Sequence, residues 1–409
     1  MKEKRSLSQE KEVVMLLAKS YLLETRSRKE AESLTRAGYD VTVISWDRFG
    51  QGPGDKRVAG VRNVSLSILS GMEFSKVAYA LASVILMTYS FLWCIRHKKG
   101  TYFVHSNEFH TLLPGVMLRV LQPRRVRLVY DCRDLTPSGY AQWYGLGLGL
   151  VAGELEKKLL PYVDSIITVN SFIRDYLQQF TPAPIFIVRN TPDTGSIPSQ
   201  SKRDLKEHFG LKGLVVSYVG MLRKDVALDE FIEAARQLSE TRNGEISFVI
   251  VGYGPELNRI RAAASQLANM VLFVPRVPHG EALKYVKASD ISFVVFRTLA
   301  DSHHSSEYNR LVSMNSDIAT PWKIHEAMAC GSCVLVRKNT HTWKFAMDLG
   351  YGISAGSGTA SEIADSLSWA IGNPCALDSM GDAAQKHFRE SFSWDIASKN
   401  LLRAYQISV

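Results

Sequence analysis

The sequence predicts an α/β protein with two doubly wound domains. Short apolar runs typical of buried strands alternate with helical patterns along almost the whole chain. The alternation stops once, at residues 190–202, which are rich in Pro, Ser, Thr and Gly, and then starts again. A length of 409 residues also suits two domains, at about 150 residues per domain.

The first half alternates strand and helix from its first apolar run. Its predicted strands are residues 13–18, 40–45, 102–105, 126–131, 164–169 and 185–188. Its predicted helices are residues 24–37, 112–121, 154–161 and 171–179. Strands that alternate with helices indicate a parallel sheet covered on both faces.

The second half repeats the same order after the predicted linker, residues 191–202. Its predicted strands are residues 214–219, 246–251, 271–274, 291–296 and 333–336. Its predicted helices are residues 228–238, 256–267, 280–287, 322–329, 360–371 and 394–407. We therefore predict a first domain over 1–190, a second over 203–390, and a final helix within 391–409 that crosses back to the first. Ligands of such sheets bind beyond the carboxyl ends of the strands, so the cleft between two such domains is the expected site.

Composition and charge restrict the class of protein. Hydrophobic residues make up 46% and charged residues 22%, as in a globular chain. The net charge is +9, and residues 74–130 hold eight basic residues against one acidic residue, so this stretch carries most of the excess. The five cysteines are odd in number and scattered, and the first twelve residues lack the apolar run of a signal peptide. We expect a cytoplasmic protein without structural disulfides.

The basic stretch surrounds an uncharged run of 19 residues, 77–95. Its polar and apolar residues fall on opposite helical stripes. Three interpretations remain open: a buried core helix, an interfacial helix on an anionic membrane, or a true membrane span. In the interfacial case the membrane-facing residues would be Arg96, Lys98, Lys99, Arg124, Arg125 and Arg127. Nucleic-acid binding is disfavoured, because aliphatic residues rather than stacking aromatics separate these cations.

A second pattern lies at the start of the helix predicted at residues 322–329. Pro321 suits a first helical turn, and Lys323 and Glu326 are three residues apart, hence on one face. The carboxylate could accept two hydroxyl hydrogen bonds from a ribose, and the lysine and helix N-terminus could hold phosphate oxygens. On these two residues alone, an exposed Lys–Glu pair explains the pattern equally well.

The whole string of residues 321–331, PWKIHEAMACG, resembles the signature helix of the family-four type of nucleotide-sugar glycosyltransferases. These enzymes have the GT-B fold, two Rossmann-like domains that face each other across a cleft. Further segments extend the resemblance over nearly the whole chain, namely residues 19–46, 128–135, 218–222, 228–234 and 249–256.

The resemblance implies transfer of a sugar from a nucleotide diphosphate donor with retention of anomeric configuration. Glu326 would bind the donor ribose, and Lys323 with Arg223 and Lys224 would hold the diphosphate and stabilise it as it leaves. Arg133 and Asp134 would face the cleft near the transferred sugar. The nucleotide-binding loops would contain Gly220, Gly252 and Gly254. We expect neither a metal nor a cofactor: the chain has no Asp-x-Asp motif, and no glycine is followed by lysine as in a phosphate-binding P-loop.

Three departures from the family pattern keep alternatives open. Ile318 stands where members often have a second acid, Met221 and Val226–Ala227 replace a frequent Arg and a Lys-Gly pair, and Arg133 stands where many members have His. The leading hypothesis is a glycosyltransferase, peripheral on the inner face of the plasma membrane, that modifies a lipid-linked glycan. The alternatives are a weakly active or inactive partner of another transferase, and another GT-B activity such as a sugar-nucleotide epimerase or a phosphorylase.

Overall fold

The computed structural model describes residues 12–47, 54–69, 76–297, 306–318 and 321–406. The polar N-terminal segment and residues 74–75 of the basic stretch lie outside these ranges. The chain forms two compact α/β units, one of Met1–Arg189 with Ala397–Val409 and the other of Asn190–Ile396. The predicted fold class is confirmed. Residues 191–202, which the sequence suggests as a linker, belong to the second unit.

The first unit is built on an eight-stranded sheet in the order β3-β4-β2-β1-β5-β6-β7-β8. Its strands are β1 (Glu12–Leu17), β2 (Asp40–Trp46), β3 (Gly54–Val58), β4 (Val61–Leu66), β5 (Tyr102–Asn107), β6 (Val126–Cys132), β7 (Ser165–Thr168) and β8 (Ile185–Ile187). Neighbouring strands are parallel, apart from the antiparallel β3–β4 pair. The parallel register brings the carboxyl ends of β1, β5 and β6 to one edge, where Asn107 pairs with Asp131.

Six α-helices are described before the linker region. They are α1 (Thr25–Arg36), α2 (Lys76–His97), α3 (Phe109–Leu121), α4 (Thr136–Tyr144), α5 (Leu146–Leu159) and α6 (Ser171–Leu177). Side-chain caps fix where two of them begin: Glu24 accepts from the Ser27 amide at α1, and Asn170 accepts from the Ile173 amide at α6.

The second unit has a six-stranded, wholly parallel sheet in the order β11-β10-β9-β12-β13-β14. Its strands are β9 (Leu214–Met221), β10 (Ile246–Tyr253), β11 (Val271–Val274), β12 (Ile291–Val294), β13 (Cys333–Val336) and β14 (Gly352–Ser354). Phe231, Phe248 and Phe293 meet in the core against one face of the sheet, with ring centroids 4.6–5.1 Å from Phe231. Buried on both faces, these strands read as nearly continuous apolar runs.

The remaining described α-helices lie before, between and after the strands of the second unit. They are α7 (Lys202–His208), α8 (Leu228–Thr241), α9 (Leu257–Ser265), α10 (His279–Ala288), α11 (Ser306–Ile318), α12 (Trp322–Cys330), α13 (His341–Asp348), α14 (Ala360–Gly372), α15 (Pro374–His387) and α16 (Trp394–Arg403). Helix α12 ends at Gly331, whose φ of 70° suits a left-handed cap. Helix α16 begins in the second unit, and from Ala397 onward its residues belong to the first.

The apolar pattern does not reveal the β3–β4 hairpin or helices α4, α7, α11, α13 and α15. Strand β3 has the sequence Gly-Asp-Lys-Arg-Val, its central residues are exposed, and it lies at the edge of the sheet. An edge strand with little buried surface has no apolar run, so the hydrophobic pattern does not predict it.

Candidate functional site

Two glycine loops lie side by side at the carboxyl ends of β9 and β10. Gly220 and Gly252 are register partners, and a Cβ on Gly252 would lie 1.9 Å from the carbonyl oxygen of Gly220. Gly220 and Gly254 adopt φ values of 146° and 147°, which side-chain-bearing residues rarely adopt. The two loops can therefore approach this closely only with glycine at these positions, and they lie at the edge where ligands of such sheets bind.

Helix α12 brings Lys323 onto the first of these loops. Its ammonium donates to the Tyr218 hydroxyl at 3.0 Å and lies 4.2 Å from the centre of that ring. A Cβ on Gly220 would be 2.6 Å from the Lys323 Cε. The positive end of the helix dipole and a lysine thus converge on the Gly220 backbone, an arrangement suited to phosphate oxygens.

Glu326, one turn further along α12, is only 7% exposed. Its Oε1 lies 2.6 Å from the Nε2 of His279, the first residue of α10. The exposed Lys–Glu pair considered from the sequence is thus wrong for this site: Lys323 is held by Tyr218, and Glu326 is buried and bonded to a residue of another helix.

Arg223 and Lys224 follow β9 but do not join this group. The Arg223 guanidinium forms a two-pronged ion pair with Asp225 of its own loop, and Lys224 is exposed. Among the described residues, neither makes a hydrogen bond or ion pair with Lys323 or Glu326. Either cation could hold a diphosphate beside Lys323 and Glu326 only if the loop that carries it moved toward them.

Tyr253 separates Gly252 and Gly254 and is 40% exposed. The Arg276 guanidinium lies 4.5 Å from the centre of its ring, in cation–π contact. Arg276 follows β11 and precedes His279 by three residues. This exposed aromatic–guanidinium pair presents flat surfaces of the type on which a nucleobase stacks.

In the first unit, Arg133 is the centre of a buried polar cluster. Its donors reach Asp131 at 2.6 Å, Glu24 at 3.0 Å, Asn107 at 2.7 Å and Ser27 at 2.8 Å. Only 7% of the side chain is exposed. Arg133 is predicted to face the cleft near the transferred sugar; in the structure its donors are occupied within this cluster, which orders the carboxyl edge of the sheet. Asp134, the next residue, is exposed.

Arg26 and Glu30 of α1 complete the cluster. Arg26 pairs with Glu30 at 2.8 Å and with Asp131 at 3.0 Å, and His105 Nε2 lies 3.8 Å from Glu30. Burial and the nearby Asp131 raise the pKa of Glu30 to about 8, and burial lowers the pKa of His105 to about 4. Glu30, His105 and Asp131 have ligand atoms within 4.8 Å of one another, but both carboxylates already bind guanidinium groups.

Glu108 lies beside this cluster with an unusual backbone. It sits between β5 and α3 with φ 61° and ψ 169°, a conformation that costs residues with side chains free energy and often marks functional sites. Its amide donates to the Asp131 carbonyl at 2.9 Å, and its carboxylate pairs with Lys19. Although burial alone would raise it, Lys19 and Arg133 lower the pKa of Glu108 to about 2.

Helix α2 turns its apolar face outward. Leu81, Val84, Ile85, Leu92 and Ile95 are 45–57% exposed, whereas Ser83 and Ser90 are buried. The helix packs on α3 and β2, and it is long and apolar enough to cross a membrane by length and composition. Of the three interpretations that the sequence leaves open, the buried core helix therefore does not describe this face.

The six basic residues predicted to face a membrane differ in exposure. Arg96, Lys99 and Arg124 are exposed. Arg125 and Arg127 are half-buried and donate to backbone carbonyls. Lys98 contradicts the prediction, because its side chain is 8% exposed and bonds Glu12 at 2.9 Å. A lysine that closes an internal ion pair is not available to a lipid head group.

Sequence reasoning did not single out Tyr218 or His279 as functional residues. Tyr218 was visible only as part of a family motif. His279 falls one residue before the predicted helix 280–287. A histidine that begins a helix directly after a strand, at the sheet edge where ligands bind, is the signal that would have found it.

Comparison with known proteins agrees with the fold. Residues 23–195 match the family described as Glycosyltransferase Family 4, and residues 200–387 match Glycosyl transferases group 1. An uncharacterized glycosyltransferase of Methanocaldococcus jannaschii is 25% identical over 205 residues, which cover 50% of this chain and 47% of that protein. The chain thus aligns with about half the length of this curated relative.

Several solved structures share the architecture over nearly the full length. Sucrose-phosphate synthase of Thermosynechococcus elongatus has a TM-score of 0.75 at 15% identity, covering 97% of this chain and 98% of its own. The α,α-trehalose 6-phosphate synthase of Burkholderia multivorans has a TM-score of 0.67 at 13% identity, with coverage of 97% and 98%. HepE of Anabaena, solved in complex with UDP, has a TM-score of 0.64 at 15% identity, with coverage of 96% and 98%.

At these identities the structural neighbours establish the architecture alone, whereas the two family matches cover both halves of the chain. Together they identify the chain as a family-four-like glycosyltransferase with the GT-B fold.

Proposed function

We propose that the protein transfers a sugar from a nucleotide diphosphate donor, with retention, to a lipid-linked glycan at the cytoplasmic face of a membrane. The observation that carries the donor half is the meeting of Lys323, Glu326 and the Gly220 loop in the second unit. Lys323 and the start of α12 would bind the diphosphate, and the Glu326 carboxylate would accept hydrogen bonds from the ribose hydroxyls.

In this proposal the rate comes from stabilising the leaving diphosphate. Negative charge grows on the bridging oxygen as the glycosidic bond breaks. Lys323 and the helix dipole stabilise that charge in a partly buried site. A departing phosphate oxygen can take the proton of the acceptor hydroxyl, so the mechanism requires no protein base. Positive groups of the chain fill the role that a divalent cation has in other transferases.

The complex of HepE with UDP supports a nucleotide diphosphate as the ligand class. Glu326→Ala tests the proposal, with Glu326→Gln as the conservative comparison. We expect the alanine variant to lose donor binding by calorimetry and transfer by product assay while its melting temperature stays close to that of the wild type. Full transfer by a folded Glu326→Ala protein would refute the site.

The acceptor half of the proposal is supported by the surface of the first unit. Exposed aliphatic residues of α2 are joined by Val120 and Leu121 of α3, which are 53% and 63% exposed. Exposed Arg96 lies in the last turn of α2, and exposed Lys99 and Arg124 lie shortly after α2 and α3. An apolar face near basic residues suits an anionic membrane, to which each cation near the surface contributes about 1 kcal/mol.

Flotation with vesicles of phosphatidylglycerol and phosphatidylcholine tests the membrane half. Replacing Arg96, Lys99 and Arg124 with Gln should reduce binding severalfold. A matched variant carries the same change at three exposed cations of the second unit, Arg203, Lys212 and Arg261, and should bind like the wild type. Equal binding by both triple variants would refute docking through this face.

A second candidate function is a weakly active or inactive homologue that assists another transferase. It is favoured by Met221, which is 42% exposed in the donor loop where the family often has Arg, and by Arg223, which is already paired with Asp225. Calorimetric titration with UDP-glucose, GDP-mannose and related nucleotide sugars separates the two. An inactive homologue of this type should show no affinity for any of them.

A further inference from the structure

The contact between His279 and Glu326 points to a residue with a role beyond those assigned to the donor site above. We propose that His279 is a positioning residue that holds the Glu326 carboxylate in the orientation required to bind both ribose hydroxyls of the donor. The inference rests on the proposed function, because it assigns a task to the partner of the ribose-binding carboxylate.

The two residues come from different elements. His279 is the first residue of α10 and follows β11, whereas Glu326 lies in the second turn of α12, 47 residues later. The imidazole also contacts Trp322 edge-on, with ring centroids 6.0 Å apart at 82°. Trp322 and Glu326 are four residues apart on α12 and therefore share a face, so the histidine is held between two side chains of one helix.

This arrangement restricts the carboxylate. A glutamate side chain has three rotatable bonds, and fixing them costs free energy when a ligand binds. Here Oε1 already accepts a hydrogen bond from His279 Nε2 at 2.6 Å, in the tautomer that carries the proton on that nitrogen. The rotamer of Glu326 is therefore set before the nucleotide arrives, so the free energy of binding does not include the cost of ordering this side chain.

The fixed carboxylate also determines which ligand it recognises. Each carboxylate oxygen has two acceptor positions, so Oε1 can accept from His279 and from one hydroxyl while Oε2 accepts from the other. A vicinal diol presents two donors at a fixed spacing, and a 2′-deoxyribose presents only one. A carboxylate in one orientation should discriminate between these ligands more strongly than one that is free to rotate.

The experiment compares His279→Ala, His279→Gln and His279→Asn in the full-length protein. Glutamine places an amide donor close to the position of Nε2, and asparagine is too short to reach Glu326 from the same backbone. Calorimetry with UDP, GDP and ADP identifies the nucleotide that the wild type binds best. The same nucleotide and its 2′-deoxy form are then titrated into each variant, and melting temperatures report folding.

We expect His279→Ala and His279→Asn to weaken ribonucleotide binding about tenfold, the loss typical of a hydrogen bond to a charged group. Binding of the 2′-deoxy form should change little, so the ratio of the two affinities falls. His279→Gln should restore most of both the affinity and the ratio. In a transfer assay, KM for the donor should rise while kcat stays within about threefold of the wild type.

Other outcomes would overturn the inference. If all three variants bind both nucleotides like the wild type while Glu326→Ala binds neither, His279 does not position the carboxylate and the proposed function stands. A histidine that only stabilises α10 would weaken the ribonucleotide and 2′-deoxy forms equally, without rescue by glutamine. If Glu326→Ala also binds normally, the proposed function fails as well, and the two failures are thereby distinguished.

Discussion

Gly252 of β10 and Gly220 of β9 lie so close that the Cα of one has no space for a side chain beside the carbonyl of the other. The Cβ of an alanine at position 252 would lie 1.9 Å from the Gly220 oxygen, far below any van der Waals contact. This carbonyl belongs to the loop that Lys323 covers. The packing of two strands therefore sets the geometry of the candidate diphosphate site.

Gly252→Ala should disturb both stability and nucleotide binding. The new methyl group meets backbone and not a flexible side chain, so β9 and β10 must separate at their carboxyl ends, at a cost of about 1–3 kcal/mol. We expect a lower melting temperature and weaker donor binding. Gly372→Ala is the matched control, since a Cβ there meets nothing within 4 Å. A Gly252→Ala protein with unchanged stability would contradict the packing described here.

Lys323→Ala should lower kcat more than donor affinity. The lysine stabilises the negative charge that develops as the diphosphate leaves, and removing one such donor commonly lowers kcat about 100- to 1,000-fold. Tyr218→Phe provides the comparison, because it removes the hydroxyl that holds the ammonium and keeps the charge and the ring. We expect a smaller loss there. Equal kcat values for Lys323→Ala and the wild type would exclude this role.

Arg133→Met should destabilise the first unit strongly. The change removes the guanidinium that bonds Asp131 at 2.6 Å and Glu24 at 3.0 Å. Breaking a buried ion pair in this way costs about 3–5 kcal/mol. Arg124→Met, the same change at an exposed arginine of the first unit, should change the free energy of unfolding by less than about 0.5 kcal/mol. Denaturant unfolding measures both. An Arg133→Met protein as stable as the wild type would show that Arg133 does not order this cluster.

Glu30→Gln should change how stability depends on pH. Burial and Asp131 raise the pKa of Glu30 to about 8 in the folded chain, so the folded state holds a proton that the unfolded state releases above about pH 4.5. The contribution of Glu30 to stability therefore decreases as pH rises from about 4.5 to 8, by at most about 1.4 kcal/mol per unit.

Glutamine cannot ionise, so the variant lacks this decrease. Relative to Glu30→Gln, the wild type should lose unfolding free energy steadily as pH rises from 5 to 8. Denaturant unfolding at pH 5, 6.5 and 8 measures it. Parallel curves for the two proteins would mean that Glu30 is ionised in the folded state throughout this range.

Chelation should leave transfer intact. In the proposed mechanism Lys323 and the α12 dipole stabilise the negative charge of the leaving group, so catalysis does not require a divalent cation. We expect the initial rate in EDTA to stay within about twofold of the rate in Mg²⁺. Loss of activity in EDTA with recovery on adding Mn²⁺ would show that the mechanism needs a cation after all.

The sequence by itself determined the two-sheet architecture and the helix that carries both Lys323 and Glu326. Alternating apolar runs indicate two parallel sheets, because strands buried on both faces must be apolar along their length. The position of Lys323 and Glu326 on one helix face follows from a spacing of three residues, and helical geometry enforces it locally. Glycines 220, 252 and 254 are recognisable for a similarly local reason, since the first two are the next-to-last residues of β9 and β10 and the third directly follows β10.

Only the tertiary structure decided which partners these residues have. His279 meets Glu326 across 47 positions, and Tyr218 meets Lys323 across 105. The order of the strands and the packing of helices on them create these contacts, and no local pattern encodes either. The structure also decided which face of α2 is exposed. A helical period reveals that two faces differ, but which face is buried depends on the packing of α2 on α3 and β2, where Ala82, Leu86 and Trp93 are buried and Leu81, Val84 and Leu92 stay exposed. Those packing partners are separate elements of the first unit, so no local pattern specifies them.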